Sequence, residues 1–361
     1  MAALKLFLII YISALIFLLK QHQADGAISH RTLKMIDRAN RNGPYLGLVI
    51  PNMFEMNPLL RSPNFTASTL VIDFSGRRFR FGSIAGKRVI LVMTGLGMVN
   101  TGITTQLLLS LFNVQGVVHY GTAGAINPSL NGGDVTIPRY WSHTGLWNWQ
   151  SYGNGPEDEL SLESNGDYTR QFGYIKIANY NANVNGITSS TNENKDNLLN
   201  NVWYQPEEVF PVDGVPEQRQ HAFWVPIDPL YFEISKNLKD MPLDRCVNST
   251  TCLSETPKVV TVERGTSANI FLENEAYKSF LYENFHVSAM DMESASVALI
   301  CYQQKIPFIA IRALCGGKSE QSNHIPEDAF LPLASKNSAA VVVEFIRRLP
   351  STKTKRFMSY R

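Results

Sequence analysis

Short runs of apolar residues, each closed by a turn residue, set the rhythm of the chain. Leu46 to Ile50 is followed at once by Pro51, and similar runs recur at Thr69 to Phe74, Arg88 to Met93, Gly116 to His119, Val259 to Val262 and Pro307 to Ile311. Unbroken apolar runs of this length mark strands buried on both faces. Between several of them the apolar positions change to a helical period, at Asn100 to Phe112 and at Met292 to Gln303. Two further helices are predicted at Arg31 to Asn42, stopped by Asn42-Gly43-Pro44, and at Ser338 to Leu349, stopped by Pro350. Buried strands alternating with helices predict a three-layer α/β/α domain. Phe79 to Phe81, with arginine at alternate positions, reads as an exposed hairpin arm.

Two stretches leave this rhythm. From about residue 141 to 224 the chain is rich in Asn, Gly, Ser and aromatics and has no sustained period. Disordered segments are poor in aromatics, so Trp147, Trp149 and Trp203 argue for a long, folded insertion. At the N-terminus, Lys5 precedes an apolar run from Leu6 to Leu19 that ends at Lys20, shorter than the roughly 20 residues that span a bilayer. Ala24, Gly26 and Ala27 then offer small residues to a signal peptidase. Residues 1–26 therefore read as a signal peptide, with an uncleaved anchor helix as the alternative. The mature domain is expected over 27–350, followed by a basic tail, 351–361, that reads as a frayed terminus.

Composition adds boundaries. A chain of 361 residues with 44% hydrophobic and 18% charged positions suits one large globular domain or two small ones. Its net charge of +2 provides no field of one sign, so neither nucleic acid nor, after signal cleavage, a membrane is expected as a partner. Entry into the secretory pathway makes Asn64-Phe-Thr66 and Asn248-Ser-Thr250 readable as glycosylation sequons, while proline excludes Asn127-Pro-Ser. Cys246 and Cys252 flank the second sequon in a polar stretch and predict a small disulfide loop. Cys301 and Cys315 sit among apolar residues and read as core. No His or Cys spacing suits a metal, and no resident cofactor is expected. The destination is the vacuole or the extracellular space.

Three stretches carry candidate chemistry. The run Arg88 to Met93 ends in Thr94-Gly95-Leu96-Gly97, directly before a helix, where glycines let backbone approach a ligand and the helix start offers N–H groups. The same pattern also fits a plain strand-to-helix turn. A second run, Val117 to Tyr120, leads into a second glycine turn, Gly121-Thr122-Ala123-Gly124-Ala125, placing Thr122 at a strand end, the usual ligand edge of an α/β sheet. The third, Ser288 to Ser296, opens a helix carrying Asp291 and Glu293, which suits either dipole capping or the hydroxyls of a sugar.

The strings GTAGAINPSLNGGDVTIP from Gly121, MDMESASVALICYQQKIPFIAIRAL from Met290, and TGLGMVN from Thr94 resemble the purine nucleoside phosphorylase and methylthioadenosine nucleosidase superfamily. WYQPEEVFPVDGVPEQRQHAFWVP from Trp203 and GLWNWQSYG look like its plant bark storage protein branch, whose members are vacuolar or secretory glycoproteins. The resemblance implies a phosphorylase/hydrolase-like α/β fold with a central twisted mixed sheet and a long inserted segment. It implies Met292 and Glu293 beneath a ribose, Thr94, Gly95 and Gly97 along the ribose or phosphate side, and Thr122 as a phosphate donor. Phe271 is the nearest aromatic to the base-stacking position, with Asn269 competing for that register. A purine nucleoside is the implied ligand, phosphate the co-substrate of a phosphorylase, and a homo-oligomer the common assembly.

Breaking an N-glycosidic bond passes through an oxocarbenium-like sugar and needs an acid beside the departing purine. In the family that acid is an aspartate in the pattern Arg-Ala-(Ile/Leu)-Ser-Asp. Here the chain reads Arg312-Ala313-Leu314-Cys315-Gly316-Gly317, and the next carboxylate is Glu320. The family's water-orienting glutamate falls near Phe54-Glu55-Met56, where Glu55 matches with a shift of register. Two functions stay open: a catalytically impaired storage or binding glycoprotein that keeps a nucleoside pocket, or an active nucleosidase or phosphorylase with Glu320 or Asp291 recruited as acid.

Overall fold

The computed structural model describes residues 28–149, 202–316 and 330–350. The signal segment, the tail, most of the insertion and Glu320 lie outside the described residues. The described residues of the first unit form one helix, α1 (His30–Arg41), capped by the Ser29 hydroxyl accepting from Thr32 N at 3.1 Å. Two arginines in its last turn suit the negative end of the helix dipole.

From Gly43 onward the order is β1 (Tyr45–Ile50), α2 (Met53–Leu60), β2 (Phe65–Phe74), β3 (Arg77–Ile84), β4 (Lys87–Met93), α3 (Met98–Leu111), β5 (Val114–Ala125) and β6 (Val135–His143). The described parts of the insertion give β7 (Trp147–Trp149), β8 (Val202–Tyr204), β9 (Glu207–Val209), β10 (Gln220–Ala222) and β11 (Val225–Pro226). Then follow α4 (Pro229–Lys236), β12 (Val259–Ser267), α5 (Glu275–Phe285), β13 (Val287–Asp291), α6 (Ser294–Gln303), β14 (Phe308–Cys315) and α7 (Leu331–Arg348). Ten of these strands form one mixed sheet in the order β11-β6-β12-β13-β5-β1-β4-β3-β2, with β14 pairing both β5 and β6. Those two pairings close β14, β6, β12, β13 and β5 into a ring. Helix α2 packs on α7 and α3 on α6, which gives the three-layer α/β/α arrangement.

The apolar runs are strands for the reason their pattern states. Every residue of β1 is buried, because β1 lies between β4 and β5 with parallel pairing on both sides. Gly47 within it is required by packing, since an added Cβ would stand 2.6 Å from Leu108 Cδ2 of α3. Three expectations need correction. Phe79 to Phe81 is no exposed arm: β3 is an internal strand, and Phe79 and Phe81 are buried against Phe112 at ring separations of 4.9 and 5.5 Å. The alternating arginines face the other side of the sheet, so a half-polar strand was mistaken for a solvent-exposed one. Gly121 to Ala125 is not a turn but the end of β5, held by β14. Ser288 to Asp291 belongs to β13, and the helix begins only at Ser294.

Two sections of the insertion dock on the domain. Tyr204 and Phe223 are buried with Phe285, Tyr277 and Leu281 of α5, and Tyr204 Oη shares a 2.7 Å hydrogen bond with Tyr277 Oη. The structure joins Cys246 to Cys252 by a disulfide around Asn248. Asn64 and Asn248 are both exposed. Among the described residues no helix is long and apolar enough to cross a membrane.

The burial of β3 has a measurable consequence. Replacing Phe79 by Ala should lower unfolding free energy by about 3 to 5 kcal/mol in urea titrations. Arg78→Ala, which removes an exposed ion pair to Asp73, should cost no more than about 1 kcal/mol. Equal, small effects would contradict the internal position of the strand.

Candidate active site

The ends of β5, β13 and β14 converge with the β1–α2 connection and the β12–α5 connection around a cavity of about 240 Å³. Beneath it lies a fully buried arginine. Arg312, on β14, has its Nε 2.6 Å from Asp291 Oδ2 and its Nη2 3.5 Å from Glu293 Oε2. The same Nη2 makes a short contact to His119 Nε2, while His119 Nδ1 lies 2.8 Å from the Val49 carbonyl. Nδ1 must then carry the proton that this carbonyl accepts, leaving Nε2 to accept from the arginine. Burial, and next the Arg312 charge, hold the His119 pKa well below the usual imidazole range, so the ring is neutral.

Asp291 cannot serve as a catalytic acid. Its Oδ1 accepts from Ser267 Oγ at 2.5 Å and from the Glu293 and Ser294 amides at 3.0 Å each. Its Oδ2 accepts from Ser294 Oγ and pairs with Arg312. Every lone-pair direction is occupied, so the carboxylate is a structural anchor that orients the start of α6.

Glu293 occupies the N-cap position of α6 without capping it through its side chain. Its Oε1 accepts from Gly97 N at 3.0 Å and its Oε2 from Met292 N at 3.3 Å, which leaves the carboxylate facing the cavity beside Met292. Burial, with Arg312 opposing and Asp291 reinforcing, pushes its pKa up to about 7. The Thr94-to-Gly97 turn therefore holds Glu293 in place rather than presenting open donors. Thr94 is buried with its hydroxyl donating to Gly95 O at 2.6 Å, and neither it nor Gly95 or Gly97 lines the cavity, whereas Leu96 does. Gly97 sits at φ +89°, a backbone state that favours glycine. Asn269 closes the same turn, accepting from Met98 N at 2.9 Å, so of the two residues competing for the base position it is Phe271 that lines the cavity.

Glu55, reached from the sequence only through a shifted register, is brought into the same cavity by α2. Its Oε1 accepts from Thr122 N at 2.7 Å and Thr122 Oγ1 at 2.9 Å, while its Oε2 is buried with no partner among the described residues. Burial raises its pKa, partly offset by Arg312 and the two Thr122 bonds. Gly121 makes room for this arrangement: an added Cβ would stand 2.6 Å from both Glu55 Oε1 and Arg312 Nη1. The hydrogen-bonding role of His119 could not be foreseen, because a histidine in an apolar run gives no sign of what its ring meets. At the far edge β14 ends at Cys315, which faces Gly124 in register and lines the cavity. Gly316 follows at φ +76° with no side chain to offer.

A family model described as the Phosphorylase superfamily matches residues 45–185 and 211–347. The chain belongs to the phosphorylase superfamily. It is 30% identical over 296 residues to bark storage protein A of Populus deltoides, covering 81% of this chain and 84% of that protein. It is 25% identical over 305 residues to the 5'-methylthioadenosine/S-adenosylhomocysteine nucleosidase of Psychromonas ingrahamii, covering 83% of this chain and 98% of that one. Among solved structures, the S-adenosylhomocysteine nucleosidase of Streptococcus pyogenes superposes with a TM-score of 0.55 at 18% identity, over 85% of this chain and 97% of that chain. That likeness shows the shared fold.

The raised pKa of Glu293 fixes the sign of a stability change. The folded state holds a proton on Glu293 that the unfolded chain has released above its ordinary value of 4.5, so stability falls as pH rises from there to about 7. Glu293→Gln, which keeps the shape without titrating, should gain stability on the wild type by about 1 to 3 kcal/mol between pH 5 and pH 8. Parallel denaturation curves for the two proteins across that range would contradict the assignment.

Proposed function

We propose that this phosphorylase-superfamily chain is a secretory glycoprotein of the bark storage type that binds a purine nucleoside in the cavity and cleaves it poorly. The observation that carries the reading is a cavity with Glu293 and Met292 on one side and, among the described residues, no carboxyl at the Cys315 edge. Glu293 and Met292 offer a ribose a carboxyl acceptor and an apolar platform, and Phe271 offers a purine an aromatic face. At the other edge stand Cys315 and Gly316 where departure of the base needs a proton. Among the described residues the remaining carboxyls do not replace it: Asp291 is locked, Glu55 is tied to Thr122, Glu293 stands on the sugar side bonded to Gly97 N, and Glu273 is exposed at the rim. Loss of general-acid help costs about 100- to 10,000-fold in rate.

The donor pattern also bears on phosphate. Thr122 spends both its N–H and its hydroxyl on Glu55, and the Gly97 and Met98 amides are taken by Glu293 and Asn269. A phosphate would meet carboxylates where it needs donors, an unfavourable arrangement in a buried site. Water is therefore the acceptor in whatever turnover remains, and the unpartnered Glu55 Oε2 supports slow hydrolysis as the second reading. The secretory reading draws support from the exposure of Asn64 and Asn248 and from the disulfide around the latter. The exposed Leu96, Val99 and Ile103, three residues on and before α3, support a homo-oligomer.

Titration calorimetry of the secreted full chain with 5'-methylthioadenosine, adenosine and inosine, each with and without phosphate, tests this directly. Saturable binding indifferent to phosphate is expected, lost in Glu293→Gln, with base release at least about 100-fold slower than a general acid would support. Efficient cleavage, or a requirement for phosphate, would sink the proposal, as would the absence of binding by all three.

A further inference from the structure

The wall that closes the cavity at Phe271 has a second cavity against it. Residues Ile270 to Glu273 line both spaces, and the second, of about 280 Å³, is completed by Trp147, Asn274 and Tyr277. Phe271, lining both, is 81% exposed, an unusual position for a phenyl ring. Such a ring is expected to find an apolar partner when one is supplied.

The chemistry of the second cavity follows from where its polar atoms go. Trp147 Nε1 donates to the Thr144 carbonyl at 2.8 Å, and Tyr277 Oη is paired with Tyr204 Oη at 2.7 Å. Asn274 Oδ1 caps α5 by accepting from Tyr277 N at 2.8 Å. With these groups engaged in the protein's own structure, the walls offer a ligand chiefly aromatic faces and the side chains of Ile270 and Leu272, with Glu273 the one charged side chain. The position is equally specific. Glu293 and Met292 define the sugar end of the first cavity and Phe271 its base end, so the second cavity extends the site beyond the base and not beyond the sugar.

We infer that the cavity behind Phe271 is a subsite for an apolar, ring-sized substituent carried on the base, so that the preferred ligand is a base-substituted purine nucleoside. This rests on the nucleoside reading above and narrows it to a substrate class. Trp147, from the β7–β8 hairpin of the insertion, would then be a specificity-determining residue that the insertion supplies to the site.

Calorimetric titration of the full chain with adenosine, N6-benzyladenosine and 5'-benzylthio-5'-deoxyadenosine separates the alternatives. Burial of the phenyl group should make N6-benzyladenosine bind at least about ten-fold more tightly than adenosine. Trp147→Ala should remove most of that gain and leave adenosine affinity unchanged, with Trp147→Phe intermediate. The same ring placed at the sugar end should show no dependence on Trp147. If adenosine binds and the N6-benzyl group adds nothing, or the gain survives Trp147→Ala, this inference falls while the nucleoside reading stands. If neither adenosine nor N6-benzyladenosine binds, both fall.

Discussion

The Arg312 guanidinium, wholly buried at the end of β14, is where sheet, helix starts and cavity meet. It pairs with Asp291 at 2.6 Å, reaches Glu293 at 3.5 Å, contacts His119 of β5 and donates to the Thr122 carbonyl at 3.3 Å. A buried cation of this kind is tolerable only when its donors are met, and removing one partner of such a pair is strongly destabilising. Because Asp291 also gathers Ser267, Ser294 and two amides, one charge pair fixes β12, β13 and α6 against β5. Glu293 then has its orientation set from two sides, by Arg312 beneath and by the Gly97 amide above.

This dependence ties the cavity to the stability of the sheet. Glu293, which lines the cavity beside Met292, is also one of the two carboxyls that meet the buried arginine, so its position is set by the fold. A carboxyl at the Cys315 edge would have no such second duty. Gly316 lies outside the charge cluster, just past the end of β14, and the fold tolerates its lack of a side chain.

Much of this was legible in the sequence, and the rest failed for identifiable reasons. The continuous apolar runs of β1 and β4 and the periodic stretches of α3 and α6 announced themselves because both faces or one stripe are buried. β3 did not, since one of its faces carries arginines and the other Phe79 and Phe81, a pattern that pairing alone resolves. Gly121 to Ala125 looked like a turn because glycines are its clearest feature, yet there the glycine spares space for Glu55 and Arg312 within a strand. Met292, Glu293, Thr122 and Phe271 were found from short strings, and the structure brings them around one cavity. Thr94, Gly95 and Gly97 do not line that cavity, and of the three Gly97 donates to Glu293. The Trp147 cavity had no sequence signal, since it forms between a hairpin of the insertion and the start of α5.

A pocket intact except for a proton donor at the Cys315 edge would gain turnover when that donor is supplied. Insertion of Asp-Leu-Ala between Cys315 and Gly316, with release of adenine from 5'-methylthioadenosine followed in the parent and variant chains, tests it most directly. The account predicts a rise of about 100- to 10,000-fold in turnover with little change in affinity. Unchanged turnover in a variant that still binds the nucleoside would contradict it, as would a parent chain already as fast as the variant.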